Sequence, residues 1–219
     1  RKLKGFNVIQ AMVLHTVPSV NIYGDSSIIN GDISKPLITE GNNPNNADEY
    51  DYWDHIDYMI DRAAAKGLYM ALVPVWGTNV KNGLVTPQQA KVYASFLAER
   101  WKDKDNIIWL NGGDIKGSDS ISVWKEIGPA IKTIVPKQLM TYHPRGRTGS
   151  SDWFHNESWL DFNMVQSGHR RYDQDTSSNE VKHYGEDNWK YIQVDWNLKP
   201  VKPTIDGEPS YEGIPQGLH

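Results

Sequence analysis

The chain has 219 residues, no cysteine and a formal net charge of −4. This length fits one domain with a sizeable core, and the lack of cysteine excludes disulfides and thiolate metal sites. The slightly acidic balance gives no electrostatic argument for nucleic acid, and no apolar run approaches the roughly 20 residues that span a bilayer. We therefore expect no nucleic-acid partner and no membrane insertion in this segment.

In chain order, short apolar runs alternate with amphipathic segments, which indicates parallel strands joined by helices. Strands are predicted at 6–14, 68–76, 107–114, 138–144, 162–169 and 203–209. Apolar stripes predict helices between them, at 56–64, 87–101, 123–134 and 188–198. Thr86 and Pro87 indicate the start of the second helix, Gly67 indicates the end of the first, and Gly128-Pro129 is expected to kink or restart the third.

Potentially reactive or sugar-binding side chains follow nearly every predicted strand. A (β/α)₈ barrel carries its catalytic groups at the C-terminal ends of several strands, whereas an open nucleotide-binding sheet would show a Gly-rich phosphate loop, and none is present. We therefore predict an α/β fold, a (β/α)₈ TIM barrel of which six units are visible. Six strands cannot close such a barrel, so we expect residues 1–219 to be a catalytic barrel truncated at both ends.

Two carboxyl groups follow the third and sixth predicted strands. Asp114 comes after Gly112-Gly113, and Glu208 comes after Gly207, so the backbone can approach a ligand closely at both places. Three strands apart in an eight-stranded barrel, the two side chains can converge to roughly 5 Å, the spacing of a retaining glycosidase. Residue types alone leave a second interpretation equally open, in which Asp114 caps a helix and Glu208 pairs with an arginine.

Other polar and aromatic residues at strand ends and in loops are candidates for sugar contact by hydrogen bonding or ring stacking. The chain favours aromatics with a polar group, with 9 Trp and 11 Tyr against 4 Phe, although core packing explains most tryptophans equally well. Asp206 is expected to be a hydrogen-bond acceptor near the rim. The substrate-binding candidates are Gln10, Trp76, His143, Trp153, His155, Gln166, His169 and Tyr211.

Few sequence features support a metal-dependent mechanism or a serine nucleophile. Neither His143 nor His169 belongs to an H-x-H or H-E-x-x-H pair, and no G-x-S-x-G nucleophile elbow occurs. We predict no metal and no cofactor. Both histidines are interpreted as hydrogen-bonding sugar hydroxyls or orienting a carboxylate.

Six segments resemble the apiosidase-like glycoside hydrolases, in the right order over essentially the whole chain. Two of them, W-F-H-N-E at 153–157 and Q-S-G-H at 166–169, are far more specific than a pair of carboxylates. The matching segments are FNVIQAMVL (6–14), LYMALVPVWG (68–77), NIIWLNGGD (106–114), LMTYHP (139–144), WFHNESWLDFNMVQSGH (153–169) and PTIDGEP (203–209).

This resemblance implies an enzyme that acts on plant cell-wall pectin, chiefly in carbohydrate-degrading bacteria, and that releases apiose from galacturonic acid in rhamnogalacturonan side chains. It implies a retaining mechanism with Asp114, which closes the G-G-D motif, as general acid/base and Glu208 of D-G-E-P as nucleophile. The family's usual I-L-G-G-D reads L-N-G-G-D here, with Asn111 beside the motif. A periplasmic, secreted or cell-surface location and an oligosaccharide or polysaccharide partner are also implied.

Two competing interpretations remain open. A non-catalytic carbohydrate-binding relative would keep the cleft and its aromatic residues, although the presence of both carboxylates argues against it. A metal-dependent barrel hydrolase would use His143 and His169 as ligands. The exact sugar, the linkage and the oligomeric state do not follow from the sequence.

Overall fold

Parallel strands joined by helices form the framework of the computed structural model, which describes residues 2–174, 187–211 and 213–215. The strands are β1 (Val8–Leu14), β2 (Tyr69–Val75), β3 (Ile107–Ile115), β4 (Met140–Pro144), β5 (Thr148–Gly149), β6 (Asn163–Gln166) and β7 (Thr204–Asp206). The helices are α1 (Tyr52–Ala64), α2 (Gly77–Lys81), α3 (Pro87–Arg100), α4 (Ile121–Ile134), α5 (Ser151–Phe154) and α6 (Asn188–Trp196), with 3₁₀ turns at Lys2–Lys4 and Tyr172–Gln174.

Strands β1, β2, β3 and β4 pair in that order, and all three pairings are parallel. β6 pairs in parallel with β7 and in antiparallel with the short β5. The segment before β6 is joined to β4, because the Thr141 hydroxyl donates to the Phe162 carbonyl at 2.6 Å and the Asp161 N–H donates to the Met140 carbonyl at 2.9 Å. All six predicted strands are therefore confirmed, and they form part of a (β/α)₈ barrel.

The core lies between these strands and the helices that cover them, and tryptophan supplies much of its volume. Packing, not exposure, explains most of the tryptophan content, as in other large cores. Each of the following tryptophans has at most 1% of its surface exposed: Trp53, Trp101, Trp109, Trp124 and Trp159.

Helix ends follow the local sequence signals. Thr86 caps α3, accepting from the Gln89 N–H at 3.3 Å, while the Gln89 side chain accepts from the Thr86 N–H at 3.0 Å. Gly67 has φ +64°, a left-handed conformation that ends the turn after α1. Both predictions are confirmed.

The helix does not restart at Gly128-Pro129, because α4 continues through Pro129 to Ile134, and the alternative of a kink stays a prediction. Proline removes one helical N–H, but the fully buried Ile127 and Ile131 pack on either side of it and hold the helix to the core. Gly128 serves packing instead of flexibility, since a Cβ at this position would lie 2.4 Å from a ring carbon of Trp159.

Gly128→Ala is therefore expected to destabilise the protein by about 1–3 kcal/mol, the usual cost of overpacking a core. Thermal and urea unfolding of the two proteins would measure this difference. Helix propensity alone favours alanine over glycine by about 1 kcal/mol, so a stabilised variant would contradict the contact with Trp159.

Helix α6 leaves its two tryptophans exposed and packs its other side against the core. Trp189 and Trp196 are 56% and 69% exposed, whereas Tyr191 and Asp195 are buried. Asp195 decides the orientation, because its carboxylate accepts hydrogen bonds from the Ser151 and Thr204 hydroxyls. Burial raises the pKa of this carboxyl group, although the two hydroxyl donors partly oppose the rise.

Candidate active site

The end of β3 carries Asp114 on a bulge. The residues Gly112, Gly113 and Asp114 all have positive φ, at +96°, +123° and +50°, and the pairing with β4 shifts register before it resumes at Ile115. A Cβ on Gly113 would lie 2.7 Å from a ring carbon of Trp76, so only glycine lets that ring approach. The bulge leaves Asp114 exposed at the C-terminal edge of the sheet.

Asn111 differs from the residue in the usual family motif, and it fixes the strand just before this bulge. Its side chain is completely buried, and its Nδ2 donates to the Trp124 carbonyl of α4 at 3.0 Å. The substitution therefore ties the strand before the acid to the following helix.

Glu208 lies two residues after β7 and is surrounded by hydrogen-bond donors. Its Oε2 is 3.3 Å from His143 Nε2, its Oε1 is 3.3 Å from His169 Nε2, and the Tyr211 hydroxyl donates to the same Oε1. Burial by itself would raise the pKa of Glu208, but the adjacent His143 imidazole, the hydrogen bond from Tyr211 and the nearby His169 outweigh it, so the pKa lies below its ordinary value. The carboxylate is therefore held in its ionised form.

His143 joins the two carboxylate positions. The ring is completely buried at the end of β4, and its Nδ1 lies 3.3 Å from the backbone N–H of Asp114. The same Nδ1 lies 3.2 Å from the Pro144 carbonyl, and Nε2 on the other side of the ring lies 3.3 Å from Glu208 Oε2. The ring therefore spans the space between the Asp114 backbone and the Glu208 carboxylate.

The pKa of Tyr211 is affected by both carboxyl groups. Burial raises the pKa of its hydroxyl above the ordinary value, and so do the hydrogen bond to Glu208 and the negative charges of Glu208 and Asp114. The geometric link between the two carboxylates is His143, whose Nδ1 lies 3.3 Å from the Asp114 backbone nitrogen and whose Nε2 lies 3.3 Å from Glu208 Oε2.

His169 is held against Glu208 by the neighbouring strand ends. Asp206 accepts from the N–H and the hydroxyl of Ser167, at 3.3 and 2.6 Å, which confirms its predicted role as an acceptor at the rim. His169 Nδ1 donates to the Pro209 carbonyl at 2.9 Å, and its ring packs on Tyr211 with centroids 4.0 Å apart. Its Nε2 faces the Glu208 carboxylate, so contacts on both ring nitrogens fix the orientation of His169.

A cavity of about 400 Å³ opens beside Glu208. Four of the residues predicted for the site line it, namely Gln10, Trp76, Glu208 and Tyr211, together with Met12, which no sequence motif singled out. The Trp76 ring meets the buried His143 ring edge-on at 5.7 Å. A carboxylate, an aromatic ring and amide groups around one opening provide what a sugar ring requires.

The apiosidase-like catalytic domain is the family whose model matches this chain, and the match covers residues 1–219. The chain belongs to this family. The apiosidase-like chain is similar to a solved glycoside hydrolase with 48% identity and a TM-score of 0.87 over 100% of this chain and 48% of that chain. It is similar also to a glycoside hydrolase family 5 structure from Bacteroides vulgatus ATCC 8482, with 46% identity and a TM-score of 0.87 over 100% of this chain and 46% of the other.

The apiosidase-like chain therefore spans about half the length of these two structures. A putative glycoside hydrolase from the same Bacteroides vulgatus strain shares the fold alone, at 14% identity and a TM-score of 0.50 over 98% of this chain and 48% of that one. None of the curated proteins matches the chain. These likenesses agree with membership of the apiosidase-like glycoside hydrolase family.

Trp153 and His155 are not among the residues that line the cavity of the apiosidase-like domain. Trp153 lies in α5 and is partly buried, with its ring 6.2 Å from that of Tyr142. His155 is buried at the opposite end of β6, where its Nε2 lies 2.9 Å from the Pro200 carbonyl and its Nδ1 meets the Asn163 side chain. The contacts of His155 therefore indicate a structural role, and sugar contact by Trp153 stays a prediction.

Gln166 ends β6 beside Ser167, with 5% of its surface exposed. Its backbone pairs with Thr148 and accepts from the Arg147 N–H at 2.7 Å, and its Oε1 has no hydrogen-bond partner among the described residues. Contact between this side chain and a sugar stays a prediction.

Within residues 2–174, 187–211 and 213–215, no group of three or more His, Asp or Glu side chains has the arrangement of a metal site. In the same residues, the helices are too short or too polar to cross a membrane.

Tyr211→Phe is expected to move the acidic limb of the kcat/KM profile to higher pH. The variant keeps the ring against His169 but removes one donor to Glu208, so the pKa of Glu208 rises and a larger fraction is protonated in acid. A hydrogen bond to a charged group contributes about 1.5–3 kcal/mol, which corresponds to a loss of roughly tenfold or more in kcat/KM at low pH.

The matched control is Tyr69→Phe, at an exposed tyrosine that begins β2 on the far side of the sheet. Its pH profile should equal that of the parent. An acidic limb that stays in place in Tyr211→Phe would show that the phenol does not tune Glu208.

Proposed function

We propose that this domain hydrolyses a glycosidic bond in a pectin glycan of the rhamnogalacturonan type, by a retaining double displacement. Asp114 is the general acid/base and Glu208 is the nucleophile. The observation that carries the proposal is the environment of Glu208, a half-buried carboxylate kept ionised by His143, His169 and Tyr211 beside the cavity.

In the first step the Glu208 carboxylate attacks the anomeric carbon, while Asp114 gives its proton to the departing oxygen. The C–O bond to the leaving group breaks as the bond to Glu208 forms. In the second step Asp114 takes a proton from water, the water oxygen bonds to the anomeric carbon, and Glu208 leaves as a carboxylate. Net inversion at each step restores the original configuration.

The distribution of roles follows from the two environments. A nucleophile must be ionised before the substrate arrives, and Glu208 is the carboxylate with an imidazole nitrogen 3.3 Å from each of its oxygens. An acid/base must exchange protons with solvent between steps, and Asp114 is exposed on its bulge. The arrangement therefore supports Asp114 as the proton carrier.

The pectin substrate, with release of apiose from galacturonic acid, is proposed on family membership together with a cavity of about 400 Å³, which suits one terminal sugar. We propose in addition that the enzyme works in the periplasm, on the cell surface or outside the cell, where a polysaccharide substrate is found.

The test is incubation of the purified protein with apiose-bearing rhamnogalacturonan oligosaccharides, with released sugars separated by chromatography. Proton NMR of the first product formed identifies its anomer. Release of apiose with retained configuration is the expected result. An inverted first product would make Glu208 a base that activates water, and binding without any hydrolysis would favour a carbohydrate-binding relative.

A further inference from the structure

A second pocket lies on the outer side of α1, away from Glu208. It encloses about 420 Å³ and shares no lining residue with the cavity beside Glu208. Four rings surround it, those of Tyr23, Tyr50, His55 and Tyr58, and we call this group the tyrosine pocket. The first two belong to the long connection between β1 and α1, and the other two belong to α1 itself.

The rings of the tyrosine pocket are exposed yet ordered against one another. Tyr23 and Tyr58 are 65% and 57% exposed. Tyr23 meets His55 edge-on with centroids 5.5 Å apart, and Tyr58 lies nearly parallel to His55 at 6.4 Å. Exposed ring faces at fixed angles are the surfaces on which the C–H face of a sugar stacks, with ring edges left for hydroxyl contacts.

The turn that carries Tyr23 is held in place. The Asn21 side chain accepts from the N–H groups of Tyr23 and Asp25, at 2.9 and 3.0 Å, and donates to the Asp25 carboxylate at 2.7 Å. Tyr23 is thus presented to the pocket without the entropy cost of ordering a loose loop on binding.

Carboxylates that could accept sugar hydroxyls line the floor and are fixed by cations. Arg100 lies 2.8 Å from both Asp54 and Asp57, and Lys104 pairs with Asp61. Three carboxylates against these two cations leave the pocket with a net negative charge, which repels an acidic sugar such as a uronate. The pocket chemistry therefore favours a neutral sugar.

We propose that the tyrosine pocket is a second carbohydrate-binding site that takes a neutral sugar unit of a polysaccharide, separate from the site that hydrolyses it. The stacked rings supply the apolar contact, and the aspartates fixed by Arg100 supply hydroxyl acceptors. Binding here holds a polymer on the protein whichever linkage Asp114 and Glu208 cleave. The proposal extends the function proposed above and does not depend on its pectin specificity.

The test measures binding of neutral galactotetraose by calorimetry and by NMR, in the Glu208→Gln background so that the probe is not cleaved. Tyr58→Ala is expected to weaken binding about tenfold, in line with the loss of one stacking ring, and Tyr58→Trp should retain it. The matched control is Tyr69→Ala, at an exposed tyrosine outside the pocket. Tetragalacturonate should bind at least tenfold more weakly than galactotetraose.

Equal affinity of Tyr58→Ala and Tyr69→Ala for galactotetraose would overturn the proposal, as would no binding at millimolar concentration or tighter binding of tetragalacturonate. With Glu208 intact, Tyr58→Ala should hydrolyse a small aryl glycoside at the parental rate but should lose activity on polymer. Absence of all hydrolysis in the parent would refute the proposed enzyme function and leave the binding result standing.

Discussion

Glu208→Gln is expected to lower kcat by roughly 10⁴-fold or more, because a neutral amide cannot form the glycosyl–enzyme bond. Glutamine has the same shape, so the variant keeps the packing around His143 and Tyr211. The measurement is turnover of pectin oligosaccharides and of an aryl glycoside, and both should fall alike, since both need the nucleophile. Residual activity above a few per cent on either substrate would reject the assignment.

The control for charge removal is Glu157→Gln, at a partly exposed glutamate that pairs with Lys125 and lies outside the cavity. It should retain parental activity. The stability of Glu208→Gln gives a second check, because a carboxyl group with a lowered pKa stabilises the fold above its unfolded pKa, and this contribution is lost as the pH falls through the folded pKa. The small stability difference between parent and variant should therefore vanish in acid.

Asp114→Asn is expected to lower kcat by about 10²–10⁴-fold on natural linkages, whose leaving alcohols need a proton. An acidic phenol departs without protonation. For an aryl glycoside with such a leaving group, the rate of the first step should therefore fall much less. A burst of phenol followed by slow turnover would show that the second step still lacks its base. This dependence on the leaving group separates the role of Asp114 from that of Glu208.

Asp119→Asn is the matched control for Asp114, because Asp119 lies five residues further on and pairs with Lys81 at 3.2 Å. It should behave as the parent on both classes of substrate. If Asp114→Asn lost activity equally on natural and aryl substrates, Asp114 would not be the proton donor, and a positioning role would replace it.

The strands and both carboxylates were predictable because apolar runs mark buried parallel strands and chemistry collects where such strands end. Asp114 and Glu208 follow two of these runs directly. Short elements carry no such period, so β5 and α5, with two and four residues, left no signal. His155 was consequently predicted to contact substrate, whereas it is buried after α5 against Asn163 and Pro200.

Contacts between distant strand ends could not be predicted from the sequence either. His143 and His169 were predicted to contact sugar or to orient a carboxylate, and only the assembled barrel brings both to Glu208. The buried side of α6 was likewise set by distant partners, since Asp195 bonds to residues of α5 and β7 and leaves Trp189 and Trp196 outside.

The bulge that carries Asp114 separates chemistry from specificity. Strand pairing holds it on both sides, with Gly112 opposite His143 before it and Ile115 opposite Pro144 after it, so the sheet sets the position of the acid. Loops that follow Ile115 and Pro144 can change in length or composition without displacing it. Such a scaffold lets descendants acquire new sugar preferences through their loops while inheriting the same acid, and it marks those loops as the segments to exchange in enzyme design.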